Sequence, residues 1–402
     1  MRVGVGYSNR QDTDEAGREA VEQALAQANR DDPCDLVLLF STTSHDPAYL
    51  HSVISDSAGG QPVLLGGGAV GAITNRHFGY AEDQVGLAAF WLDGLTYDLL
   101  ATDSLADHEE ERGLELGKTM AGRGVGLDTP ILLFYDNINR LHGDLRLNLA
   151  TPLLQGMEKG LGFLPRRLVG AGLQGDFDAL SYSQWLGPHT VSQYVMALTF
   201  PERLLIDSVI MHGCRPASDY YTVTRAEKQT ILEINGEPAL AFLETKITPR
   251  LSADHFPFFL ILGINRGREG EYNEGSYANR LCLGIDRERN GVVMFESDMV
   301  AGTRFQVMYR SLDLDYIPAK INAVFQRQTE AGRQPVFAFY INCAGRADRF
   351  HSGVEDAQVV QNTVADRVPL LGIYTGVEIA PIMERPRTLD WTGVFCLFSL
   401  PG

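Results

Sequence analysis

Two side chains of opposite charge stand among apolar residues near the end of this sequence. Arg346 closes the stretch Val336-Phe337-Ala338-Phe339-Tyr340-Ile341-Asn342-Cys343-Ala344-Gly345-Arg346, and Glu378 sits inside Leu370–Ile379. A guanidinium offers two parallel donors to a carboxylate, and a carboxylate accepts from an ammonium. The pair therefore complements an amino acid or a similar small molecule, and its alternative use is to bind itself. Cys343, Gly345, Tyr374 and Thr375 complete the candidate ligand site as neighbours. Cys343 beside a cation is also a candidate nucleophile. The nearest histidine, His351, lies beyond Asp348-Arg349-Phe350, and no Gly-x-Ser-x-Gly or His-Glu-x-x-His motif occurs. The expectation is a binding protein and not an enzyme.

The elements that must position these residues read clearly. Val336–Ile341 is an apolar run rich in β-formers that stops at polar residues, as a buried strand ending in a site would. A helical interval follows, with Val354, Ala357, Val359, Val360 and Val364 as its apolar positions, and Pro369 introduces a second strand over Leu370–Ile379. The same order occurs in Leu36–Phe40 with Pro62–Ile73, and in Ile131–Asp136 with Leu168–Phe177, each with a helical stretch between. A further strand follows each copy, at Val85–Trp91, Val191–Phe200 and Gly393–Leu400, giving a β-α-β-β unit three times. The copies are roughly a hundred residues apart, which marks domain-sized duplication and not a stacked array. The predicted fold is α+β, with mixed, largely antiparallel sheets, helices outside, and two halves divided near Gly213, at 1–213 and 214–402. Asp176 and Glu378 fall at similar places in their copies and Ala72 in the first, so the charged site is expected in the C-terminal half. Gly66-Gly67-Gly68 lacks the following lysine of a phosphate loop and reads as close packing. Leu240–Thr248 and Ile317–Thr329 read as helices, and Val292–Glu296 with Arg304–Arg310 as a hairpin.

Cys-Ala-Gly-Arg at 343–346, then Gly-Ile-Tyr-Thr-Gly-Val-Glu-Ile at 372–379, resembles the C-terminal signature of the FIST family (F-box and intracellular signal transduction). Leu36–Phe40, Pro62–Ile73 and Val85–Phe90 resemble its N-terminal half, and Gly213-Cys214-Arg215-Pro216 the junction. The resemblance covers nearly the whole chain and implies a FIST N-terminal domain followed by a FIST C-terminal domain. It implies a sensory protein that binds amino acids or similar small molecules, and in a subset a haem-based nitric oxide sensor. It brings no catalytic residues. Under the haem alternative an axial ligand is needed, and His212 and His351 are the candidates. The sequence shows no kinase, cyclase, methyl-accepting or F-box region, so the signal is expected to pass to a separate output protein such as a histidine kinase.

Composition narrows the classes further. A net charge of −17 over 402 residues argues against nucleic acid as a partner, since a polyanion needs a basic face. No apolar run approaches the ~20 residues of a membrane helix, so no membrane insertion is expected. Met1–Ser8 lacks the features of a signal peptide, and the five cysteines are scattered without a Cys-x-x-Cys pair. The expected location is the cytoplasm.

Overall fold

Short apolar runs bounded by proline and glycine become the centres of three sheets. In the computed structural model, which describes residues 1–139, 146–176, 183–247, 252–347, 353 and 355–402, Leu36–Ser41 lies parallel to Val63–Gly68 and antiparallel to Val85–Trp91. Arg2–Ser8 flanks Val85–Trp91 on its other side. Ile131–Asp136, Leu168–Leu173, Val195–Thr199 and Asp98–Thr102 repeat this order and direction. So do Arg333–Cys343, Leu370–Thr375, Gly393–Pro401 and Leu205–Met211. Parallel neighbours require a crossover, and the helices Pro47–Ala58, Ala150–Leu161 and Asp356–Val364 supply it. The fold is α+β with mixed sheets and helices on the outside, and the triplication read from the sequence is present in strand order. Phe177, Thr248, His351 and Val354 lie outside the described residues.

The glycine-rich runs depart from the sequence reading, because each continues into a strand of another sheet. Leu370–Thr375 stops at Gly376, and Val377–Ile382 begins a hairpin with Arg385–Leu389 that pairs with Leu168–Leu173 of the second unit. The break is tightly packed: a Cβ on Gly376 would stand 2.2 Å from Gln174 Oε1 and 2.4 Å from Asn137 Nδ2, so a larger residue would have to displace both side chains. The hairpin of Gly71–Thr74 and Phe78–Tyr80 likewise pairs with Leu370–Thr375 of the third unit. Gln184–Leu186, in a hairpin with His189–Val191, pairs with Val63–Gly68 of the first. The exchange is cyclic. Strands from both sides of Gly213 therefore share two sheets. Ala72 opposes Ile373 as Glu378 opposes Ala171, but the middle unit's hairpin begins at Gln184, so Asp176 is not their counterpart.

One face of all three sheets meets in a common core. Phe40, Phe134 and Phe339, one from each unit, touch with ring centroids 5.5, 5.8 and 6.1 Å apart, inside a cluster that includes Leu38, Leu132, Ile341 and Ile373. The opposite faces are covered by helices. Thr13–Ala28 lays Ala20, Val21 and Ala24 against Val37 and Leu39, and it approaches Arg2–Ser8 so closely that a Cβ on Gly6 would lie 1.7 Å from Ala20 O. Gly6→Ala should cost about 1–3 kcal/mol by forcing helix and strand apart. Urea unfolding checks this, and a loss within measurement error would refute the close-approach argument.

Between Leu205–Met211 and Tyr316–Glu330 the chain forms a separate β-rich insert. Its strands Tyr221–Glu227, Thr230–Ile234, Gly291–Met294, Tyr277–Asp286, Ile261–Asn265 and Arg304–Arg310 pair in that order, and the last also pairs with the first, so the sheet closes. The expected hairpin of Val292–Glu296 with Arg304–Arg310 is corrected here, since neither strand pairs with the other. Phe242 and Leu243 of the helix Ala239–Ile247 fill the insert's own core with Phe256 and Phe305.

Candidate functional site

Arg346 is fully buried, in the short turn that ends Arg333–Cys343. Its Nε donates to Asp356 Oδ2 at 2.7 Å, and Nη2 forms an ion pair with the same oxygen. Nη1 donates to His212 O at 2.9 Å and Trp391 O at 3.1 Å, and Nη2 to Tyr316 OH at 3.4 Å. A guanidinium has five N–H donors, so these contacts leave none for a ligand. Glu378, also fully buried, accepts from Thr392 N at 3.1 Å through Oε2, and its Oε1 has no partner. Burial, then the nearby Asp390, push its pKa well above the carboxylate range. No ion pair joins Arg346 to Glu378. Instead they hold opposite ends of one peptide group, Trp391–Thr392, by its carbonyl and its N–H.

The other expected site residues are packed into the same lattice. Tyr374 donates to Glu355 Oε1 at 2.6 Å, and Thr375 Oγ1 donates to Gly172 O. Gly345 lies under the Trp391 ring, where a Cβ would come within 2.9 Å of Cζ3. Burial, with Glu378 adding to it, drives the Cys343 thiol well above its ordinary pKa, opposite to what an activated nucleophile needs. His212 spends both ring nitrogens inside the protein: Nδ1 accepts from Cys214 N at 2.9 Å and Nε2 donates to Glu274 O at 3.1 Å. Burial lowers its pKa to about 4. It does not fit an axial haem ligand, which needs a free nitrogen facing open space. The second candidate, His351, lies outside the described residues. Among the described residues, no group of three or more His, Cys, Asp or Glu is placed to hold a metal ion.

Sequence reasoning missed Arg310 and Asp356. Asp356 opens the helix Asp356–Val364 and receives a second guanidinium, Arg310 Nη2, at 3.1 Å on Oδ1. Two buried arginines thus share one carboxylate. The Arg310 side chain is 6% exposed, and its Nε and Nη1 have no partner. Burial and Arg346 lower its pKa, with Asp356 opposing them. It lies over the Trp391 ring at 5.7 Å and forms part of the wall of a cavity of about 330 Å³, with Ser218, Met308, Phe259 and Trp391 beside it and Lys246 among the lining residues. An acidic residue in a helix's first turn was a readable signal for Asp356. Nothing local marks Arg310, which joins the site through the strand pairing of the insert.

The sequence matches the FIST N domain over residues 35–237 and the FIST C domain over residues 239–381. The chain belongs to the FIST family. FIST domains are sensory domains of signal transduction. This FIST protein is similar to an uncharacterised protein of Mycobacterium bovis, at 26% identity over 99% of both chains. It is also similar to one of Mycobacterium tuberculosis, at 24% identity over 99% of this chain and 100% of the relative. Among solved structures it has a distant likeness to one described as "Cyanuric acid hydrolase: evolutionary innovation by structural concatenation", with a TM-score of 0.35 and 10% identity over 99% of each chain. No helix among the described residues is long and apolar enough to cross a membrane.

Proposed function

We propose that this FIST protein senses a small organic carboxylate, such as an amino acid, in the cavity beside Arg310, and signals from the cytoplasm to a separate output protein such as a histidine kinase. The supporting observation is Arg310: a buried guanidinium with two unpartnered nitrogens at the wall of a half-open, largely apolar cleft. Ligand sites combine such a space with a few convergent polar groups. A carboxylate would take the two unpartnered donors once the Arg310 side chain turns from its buried position toward the cleft, and Phe259, Met308 and Trp391 would cover an apolar body. Lys246, on the exposed surface, adds positive charge at the rim. A hydrogen-bonded path then runs from Arg310 through Asp356, Arg346 and the Trp391–Thr392 peptide to Glu378. A ligand that draws Arg310 from Asp356 would disturb that path, which is a local charge event of the kind that biases sensory proteins. In this reading residues after 213 carry the sensing site, and 1–213 supply packing and signalling surface. Arg346 and Glu378 act as its supports, with Cys343, Gly345, Tyr374 and Thr375 packed around them.

Calorimetry against a panel of amino acids and small carboxylates tests this. The best ligand should lose about 30-fold in affinity on Arg310→Met, corresponding to about 2 kcal/mol for hydrogen bonds to a charged group. A folded Arg310→Met protein that binds it as well as the wild type would sink the assignment.

A further inference from the structure

A second cavity, of about 230 Å³, lies where the insert, the exchanged hairpin containing Arg385–Leu389 and the helix Ala150–Leu161 meet. Four arginines line it: Arg266, Arg280, Arg385 and Arg387. Two carboxylates stand among the lining residues, and the buried Asp390 and Glu296 act on Arg280 from behind the wall. Asp298 receives Arg280 at 2.5 and 2.7 Å and Arg266 at 3.3 Å, and Glu158 receives Arg385 at 2.6 Å. Arg280 spends its remaining donors on Asn279 O, Thr388 O and Thr388 Oγ1, so it is closed to a ligand. Arg387 is different. Its side chain makes no hydrogen bond or ion pair among the described residues, and its Nε and that of Arg266 are buried without partners. Burial, with Arg266 and Arg385 nearby, lowers its pKa to about 10 despite Asp298.

Arg387 is thus left without a paired carboxylate among the described residues, beside a second guanidinium, Arg266, that is only partly satisfied, in a chain whose net charge is −17. Guanidiniums held together repel, and removal from water weakens the screening that would relieve them. An oxyanion with several oxygens suits the forked donors of two neighbouring arginines better than a monocarboxylate does. We infer that this seam binds a small ligand through a phosphate-type dianion, held chiefly by Arg387 and Arg266. Arg266 belongs to the insert and Arg387 to the third unit's hairpin, so an occupied site ties these two together across the second unit's helix. This site is independent of the Arg310 cavity.

The test is thermal unfolding at fixed pH and ionic strength in inorganic phosphate, pyrophosphate or acetate, with calorimetry of pyrophosphate. Wild type should melt about 2 °C or more higher in phosphate or pyrophosphate than in acetate. Arg387→Gln should melt in acetate at the wild-type temperature or above it, because like-charge repulsion is removed, and should bind pyrophosphate at least tenfold more weakly. Arg310→Met should keep the full pyrophosphate response, which separates this site from the proposed carboxylate cavity. An equal response to acetate and phosphate, an undiminished response in Arg387→Gln, or a lower melting temperature for that variant in acetate would each overturn the inference.

Discussion

Asp356→Ala is expected to destabilise the protein by about 3–5 kcal/mol, the range for removing one partner of a buried ion pair. The carboxylate is fully buried and holds both Arg346 and Arg310, so its loss strands two guanidiniums at once. Against a total stability of about 5–15 kcal/mol, that is enough to leave part of the population unfolded. Arg346→Lys should also lose stability, because an ammonium cannot reproduce the contacts of Arg346 to Asp356, His212, Tyr316 and Trp391. Had Arg346 met the ligand directly, lysine there would instead weaken carboxylate binding with folding largely retained. Urea unfolding decides between them: a loss below about 1 kcal/mol for Asp356→Ala, the size of a surface pair, would mean the charge is satisfied elsewhere.

Glu296→Gln should gain stability relative to wild type as pH rises from about 4.5 to about 8. Glu296 is fully buried, and its oxygens accept from Ala150 N at 3.0 Å and Thr151 N at 2.9 Å at the start of the helix Ala150–Leu161. Burial, then Asp390, raise its pKa to about 7, and burial raises that of Asp390 to about 6. A carboxyl raised in the folded state binds its proton more tightly there than in the unfolded chain. Its contribution is therefore fully present below the unfolded pKa, near 4.3, and is lost as pH climbs to the folded value. For Glu296 the loss is on the order of 3 kcal/mol. Asp298 and Glu274 have lowered values and act in the opposite sense, losing stability as pH falls. The difference between variant and wild type isolates Glu296. If that difference in urea midpoint stays flat between pH 5 and 8, Glu296 is ionised throughout and the assignment fails.

Much of the local structure was legible in the sequence. The helices read over Leu240–Thr248 and Ile317–Thr329 form as Ala239–Ile247 and Tyr316–Glu330. The three apolar strand cores fell where periodicity put them, because burial between layers selects six-residue runs such as Leu36–Ser41 directly. What escaped was anything decided by pairing over long sequence separations. Leu370–Ile379 reads as one strand because nothing local distinguishes Gly376 from Gly372. The break falls where the chain leaves Arg333–Cys343 to pair with Leu168–Leu173, two hundred or so residues away. The candidate site failed in the same way. Arg346 and Glu378 were found as buried polar residues. Their true partners, Asp356 and the Thr392 N–H, share no motif with them, and Arg310 reaches the site only because the insert folds back against Trp391.

The cyclic exchange of hairpins also governs how the chain can fold as it is made. The first sheet can take its borrowed edge from Gln184–Leu186 soon after the second unit emerges, and the second waits for Val377–Ile382. The hairpin at Gly71–Tyr80 is synthesised early, yet its partner strand Leu370–Thr375 is among the last segments to leave the ribosome. At ordinary elongation rates that interval is on the order of tens of seconds. Throughout it the hairpin exposes an unpaired edge, the kind of surface that chaperones bind and that neighbouring nascent chains can capture. The interlock that closes three units into one body is completed only by the C-terminal strands, so a ribosome stalled before residue 370 would release a chain with its first and third units unable to join.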